Sequence, residues 1–145
     1  MINIKIKEAA DILNAGLWGT YDWDKPIKGV SIDSRKVTEN SLFIPIKGMT
    51  VNGHAFVKDA IEKGAAASLW NKDEPNPPED IALILVEDTV KSLQDLSRYY
   101  RNKLNVKIVG VTGSNGKTST KDITAAILSQ KYKTQKTLGN YNTEI

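Results

Sequence analysis

The sequence has no cysteine and only one histidine, His54, among its 145 residues. The lack of cysteine rules out disulfides and thiolate-held metal, and fits a reducing compartment, here expected to be the cytoplasm. One histidine without further ligands does not make a zinc site. No nucleophile elbow accompanies it, so a Ser-His-Asp triad has no support. Long apolar runs are missing as well. Ile81-Ala-Leu-Ile-Leu-Val86 is of strand length, far below the roughly 18 to 20 residues of a membrane span. The start, Met1-Ile-Asn-Ile-Lys-Ile-Lys-Glu8, has no apolar core behind a basic end and is not expected to be a secretory signal. There is little charge of one sign: 20 Lys and Arg stand against 17 Asp and Glu, a net of +3. The bases are scattered, so no nucleic-acid partner is expected, while a small surplus suits a phosphorylated small molecule. With 40% apolar residues the chain can bury a core, which excludes a disordered class.

What is present alternates. Apolar residues at helical spacing mark helices over 7–13, from Phe56 to a Gly64 cap, over 88–103 behind an Asp88 cap, and over 117–130. The last of these should turn Ile123, Ala126 and Ile127 inward. Strands are expected at 29–33, 41–46, 65–70, 81–86 and 107–111, with a possible one starting at 133–137. Pro45 predicts an edge position or a bulge for the second strand. Residues 18–26 and 72–80 read as loops. The class is therefore α/β, a small N-terminal α/β domain followed by the start of a second. The boundaries are 1–86 for the first domain, 87–105 for a connecting helix, and 106–145 for the second. One strand and one helix cannot cover both faces of a parallel strand, so the second domain is expected to be incomplete.

The most informative stretch is Lys107-Ile-Val-Gly-Val-Thr-Gly-Ser-Asn-Gly-Lys-Thr-Ser-Thr120. An apolar strand enters, a glycine-rich turn follows and a helix leaves, which is the setting of a phosphate loop. Glycines let backbone N–H groups curl around phosphate oxygens, and the helix start adds unsatisfied donors and partial positive charge. Lys117 would reach the β- and γ-phosphates of a nucleotide as a mobile point charge, and Thr118 would place its hydroxyl on Mg²⁺. The strict pattern G-x-x-x-x-G-K-[ST] needs glycine at 111, where valine stands; the glycines lie at 110, 113 and 116.

Thr112-Gly-Ser-Asn-Gly-Lys-Thr-Ser119 resembles the ATP loop of the Mur ligases, T-G-[TS]-N-G-K-[TS]-[TS], in which the displaced first glycine is normal. The N-terminal half agrees. Ile32-Asp-Ser-Arg35, Ser41-Leu-Phe43, Lys47-Gly48, Asn52-Gly-His54, Phe56 and the alanines up to Ala65 resemble the family's first domain, with Asn52 in place of the usual aspartate. Thr137-Leu-Gly-Asn-Tyr-Asn-Thr-Glu-Ile145 resembles a T-x-G-N-x-N-[NT]-x-I-G segment of the branch that adds D-alanyl-D-alanine to UDP-N-acetylmuramoyl-tripeptide. The resemblance spans the chain but only the first part of a three-domain family pattern.

The resemblance implies cofactors and roles. ATP would lie on Gly113, Ser114, Asn115, Gly116, Lys117, Thr118 and Ser119, with Lys117 and Thr118 catalytic and Thr118 a ligand of Mg²⁺. The UDP-sugar would meet Ile32, Ser34, Arg35, Met49, Thr50, Val51, Asn140, Asn142 and Thr143. Taken alone, Asp33-Ser-Arg35 reads as an Asx or Ser turn with Arg35 in a surface ion pair; the resemblance reassigns it to the uridine end. His54 fits a structural role at a helix start, and Trp18, Trp23 and Trp70 fit packing rather than base stacking. The implied parent is an amide ligase of peptidoglycan synthesis and a monomer, while this chain alone should not catalyse. Two rivals remain: a P-loop module that only senses ATP, and another ligase of the Mur type. Folylpolyglutamate synthetases share the loop but lack the domain carrying Asp33 to Phe56.

Overall fold

The computed structural model describes residues 2–137. They form two compact units, divided between Leu104 and Asn105.

The first unit is built on a five-stranded mixed sheet. Its strands are β2 (Gly16–Trp18), β4 (Gly29–Ser31), β5 (Ser41–Phe43), β6 (Ala67–Asn71) and β7 (Leu83–Val86). Their order across the sheet is β2-β7-β6-β5-β4, parallel from β4 to β7, with β2 antiparallel on β7. A two-stranded ribbon of β1 (Ile4–Lys5) and β3 (Pro26–Ile27) stands apart from this sheet. The alternation of side chains along the strands separates two apolar layers. Leu42, Ile44, Leu69 and Ile84 share one layer with Ile6, Ala9, Ala10 and Leu96 from the helices α1 (Ile6–Leu13) and α3 (Thr89–Lys103). Phe43, Trp70, Ile81 and Leu83 fill the other with Val57 and Ala60 of α2 (Val57–Glu62). The unit is thus a mostly parallel sheet with helices on both faces, which is the expected α/β class.

The helix signals act as their chemistry demands. The Asp88 carboxylate accepts from the N–H groups of Val90 (2.8 Å) and Lys91 (3.0 Å) and starts α3. Helix α2 ends with Gly64 at φ 104°, where the Gly64 N–H donates to Ile61 O and the Ala65 N–H to Ala60 O. These are the two bonds of a Schellman cap, and glycine supplies the positive φ. Helix α3 lies within the first unit and packs on α1.

Pro45 misleads. The strand it follows is not an edge: β5 sits between β4 and β6. The ladder ends at Phe43, so the missing proline N–H falls beyond it, and Pro45 is itself fully buried. Trp70 is in the core, Trp23 packs against the core's other layer, and Trp18 is partly exposed.

The second unit, within its described residues, has one regular element, α4 (Lys117–Ser129). No strand forms over 107–111 or 133–137. Ile108 and Val109 are 65% and 63% exposed, and Ile123, Ala126 and Ile127 lie exposed on α4 instead of inward. A strand needs hydrogen-bonding neighbours on its flanks, and among the described residues none pairs with this segment.

Candidate functional site

In a parallel sheet the loops after neighbouring strands emerge at one end, where ligands of such folds collect. Here the loops that follow β4, β5 and β6 meet. The Ile44 N–H donates to Ser31 O (2.8 Å), which joins the first two. Directly after β4, Asp33 opens a 3-10 turn, Ser34–Lys36. Its carboxylate accepts from the Arg35 N–H (3.0 Å) and holds the guanidinium at two points, Nε and Nη2, each at 2.9 Å. The Arg35 side chain, then the backbone N–H, hold the Asp33 carboxyl down at about 2. So Asp33 stays charged and spends itself on the turn. Ser34 is buried, and Asp59 is held below the usual carboxylate range, by Lys63 first and by the Ser34 hydroxyl second. Ile32 is exposed beside it.

After β5 the chain makes a small hairpin. Lys47 and Asn52 pair as an antiparallel bridge, and the Gly48 N–H donates to Val51 O (2.9 Å). Met49, Thr50 and Val51 at its tip are exposed, Met49 completely. Gly53 then passes so close to Ile46 that a Cβ would lie 2.6 Å from Ile46 N and 2.7 Å from Ile46 O. Only glycine permits this approach.

His54 is locked beneath the hairpin. Its Nδ1–H donates to Asn52 Oδ1 (2.8 Å), and its Nε2 accepts the Asn71 N–H (3.2 Å). These partners require the neutral ring with the proton on Nδ1. Burial lowers its pKa; Glu74 pulls it up and Lys47 pushes it down, each by less. The ring packs edge-on against Trp70, with centroids 4.9 Å apart. His54 thus has the structural role its sequence position fits. The sequence reading passes over Glu74, an acid in a proline-rich loop. It accepts from Asn52 Nδ2 (2.7 Å) and Lys47 Nζ (3.4 Å), while its carbonyl accepts Trp70 Nε1–H (3.0 Å). No local pattern marks it, because its partners lie 22 and 27 residues away.

In the second unit the glycine turn leads into the start of α4. Gly113 has φ 151° and Gly116, the residue before the helix, φ 75°. No side chain caps α4 and its first turn holds no acid, so no carboxylate within that turn offsets the partial positive charge of the helix start. Lys117 folds back over the loop, its Nζ donating to Gly113 O at 2.6 Å. Ser114, Asn115, Thr118 and Ser119 are exposed around it. Among the described residues no three His, Cys, Asp or Glu come together to hold a metal by themselves. A Mg²⁺ ion held here would need phosphate and water oxygens besides those of the chain. Asn140, Asn142 and Thr143 lie outside the described residues.

Comparison with known proteins agrees with this division. Residues 26–101 match the Mur ligase family, catalytic domain, and residues 111–145 the Mur ligase middle domain. The chain is 45% identical, over its whole length, to a UDP-N-acetylmuramoyl-tripeptide–D-alanyl-D-alanine ligase of Bacillus subtilis, and 38% identical to the enzyme of that name from Escherichia coli. It spans about a third of the length of these relatives, 32% and 31%. Among solved structures it resembles MurF from Acinetobacter baumannii (TM-score 0.83, 27% identity, 99% of this chain and 31% of that one). It also resembles MurF ligase from Thermotoga maritima in complex with ADP (TM-score 0.68, 36% identity, 79% of this chain and 26% of that one). Among the described residues no helix is long and apolar enough to cross a membrane. With one family domain matched over more than half of its residues and a second matched further along, this chain belongs to the Mur ligase family.

Proposed function

We propose that the chain is the N-terminal part of an ATP-dependent amide ligase that adds D-alanyl-D-alanine to UDP-N-acetylmuramoyl-tripeptide. The observation that carries this reading is the glycine turn at the start of α4, with Lys117 folded onto it. In the first unit, the hairpin tip Met49 to Val51 and the turn at Ile32, Ser34 and Arg35 receive the uridine end of the nucleotide. The Ser34 hydroxyl has lone pairs that can accept the uracil N–H. Asn140, Asn142 and Thr143 belong to the same substrate reading.

In the second unit, the backbone of Gly113 to Gly116 cradles the phosphates of ATP and Ser119 adds a hydroxyl. Lys117 exchanges Gly113 O for phosphate oxygen. Thr118 would hold Mg²⁺, which when bound would neutralise charge on the phosphates. The tripeptide carboxylate takes the γ-phosphoryl group as ADP leaves. The dipeptide amine then displaces phosphate to form the amide. The protein's part in this is positioning and charge stabilisation. The likeness to a ligase solved with ADP supports the nucleotide assignment. The chain covers about a third of such ligases, and catalysis belongs to the complete polypeptide.

The test is Lys117→Ala in the complete polypeptide. Charge on the transferring group shifts during reaction, so kcat should fall by on the order of 10² or more, with a smaller change in ATP affinity. The 145-residue chain should bind ATP weakly in calorimetry, at about millimolar Kd. A Lys117→Ala enzyme with near-normal turnover would show that the loop is only a structural turn.

A further inference from the structure

The hairpin after β5 exposes its tip yet is pinned firmly at its base. Both residues of the base bridge, Lys47 and Asn52, donate to one carboxylate, that of Glu74, from the loop after β6. Glu74 is itself held, since its carbonyl takes the Trp70 indole N–H (3.0 Å). The Asn52 amide has a single workable orientation. Its Oδ1 already receives two donors, the His54 N–H (3.1 Å) and Nδ1–H (2.8 Å), so its Nδ2 must point at Glu74. An aspartate at position 52, the residue usual at this place in the family pattern, would set a second carboxylate oxygen at that 2.7 Å contact. Asparagine at position 52 and glutamate at position 74 are therefore chemically matched.

We propose that Glu74 is a positioning residue: by clamping Lys47 and Asn52 it fixes the Met49–Val51 tip in the conformation that receives the uridine nucleotide. This rests on the uridine reading of the hairpin. Glu74 touches no substrate. It restricts the base of a hairpin whose tip is exposed, so that less ordering remains to be done on binding.

The 145-residue chain is titrated with UDP by calorimetry, and exchange of the Gly48 and Gly53 amides, bonded to Val51 O and Ile46 O, is followed by NMR. Glu74→Ala should weaken UDP binding by roughly five- to tenfold, within the net range of one ordinary hydrogen bond, and speed both exchanges. Asn52→Asp should do the same, by opposing two carboxylates. The double variant, Asn52→Asp with Glu74→Gln, should restore both readouts, because the glutamine amide then donates to the carboxylate introduced at position 52. Glu74→Ala with faster exchange but unchanged affinity overturns the positioning role, and unchanged exchange overturns the clamp. If the unaltered chain fails to bind UDP, the uridine reading falls and the positioning role with it, while exchange still decides whether the clamp exists. Failure of the double variant to recover removes the charge-matching argument.

Discussion

Gly53 gives the sharpest test of how this fold holds its site. Its φ is not in the left-handed region, so an alanine there meets no backbone penalty. The obstacle is contact alone. A Cβ would sit 2.6 Å from Ile46 N, 2.7 Å from Ile46 O and 3.1 Å from Pro45 C, all main-chain atoms that cannot swing aside. Relieving the overlap must separate residues 45–46 from 53. Overpacking of this kind costs about 1 to 3 kcal/mol. The Gly53 N–H to Ile46 O bond (3.0 Å) is stretched in the process, which adds about 1 kcal/mol. Gly53→Ala should therefore destabilise the first unit by about 2 to 4 kcal/mol. At about 4 °C per kcal/mol for a unit of this size, Tm falls by roughly 8 to 16 °C. Thermal unfolding followed by circular dichroism reads this directly. Gly16→Ala is the control: its Cβ meets nothing within 4 Å, so Tm should hold or rise slightly through loss of unfolded-state entropy. A Gly53→Ala protein melting within about 2 °C of the parent, or a Gly16→Ala protein falling as far, would refute the close-approach argument.

Asp88→Ala removes the acceptor for two N–H groups of α3 and should cost about 1 kcal/mol in urea unfolding; Asp88→Ser should recover most of it. The buried neutral His54 has its pKa lowered from 6.5, so on acidification the unfolded chain takes its proton first. Its contribution to stability is complete above about pH 6.5 and is lost as pH falls from there towards the folded value. A stability profile from about pH 8 to 5 should show that slope, and His54→Gln should lack it. Ser34→Ala should weaken UDP binding by roughly 1 kcal/mol in a calorimetric titration; unchanged affinity removes Ser34 from the uridine contacts.

The sequence by itself determined the features whose physics is local. The glycine spacing of 113 and 116 before Lys117 is a statement about backbone freedom and charge at a helix start, and the turn has the positive φ values it requires. The Asp88 cap and the Gly64 cap are likewise complete within a few residues. The class followed from alternation of apolar runs, though the short strands β1, β2 and β3 carry too few residues for a period to show. Tertiary structure decided the rest. Pro45 looks like an edge marker until the ladder is seen to end at Phe43, two residues earlier. The apolar run 107–111 reads as a strand, but strand formation depends on partners outside the run, and the described residues supply none. Nothing around Glu74 announces a role. Only the parallel packing of β5 against β6 brings its carboxylate to Asn52 and Lys47, because such a contact is fixed by the sheet order and not by any neighbour along the chain.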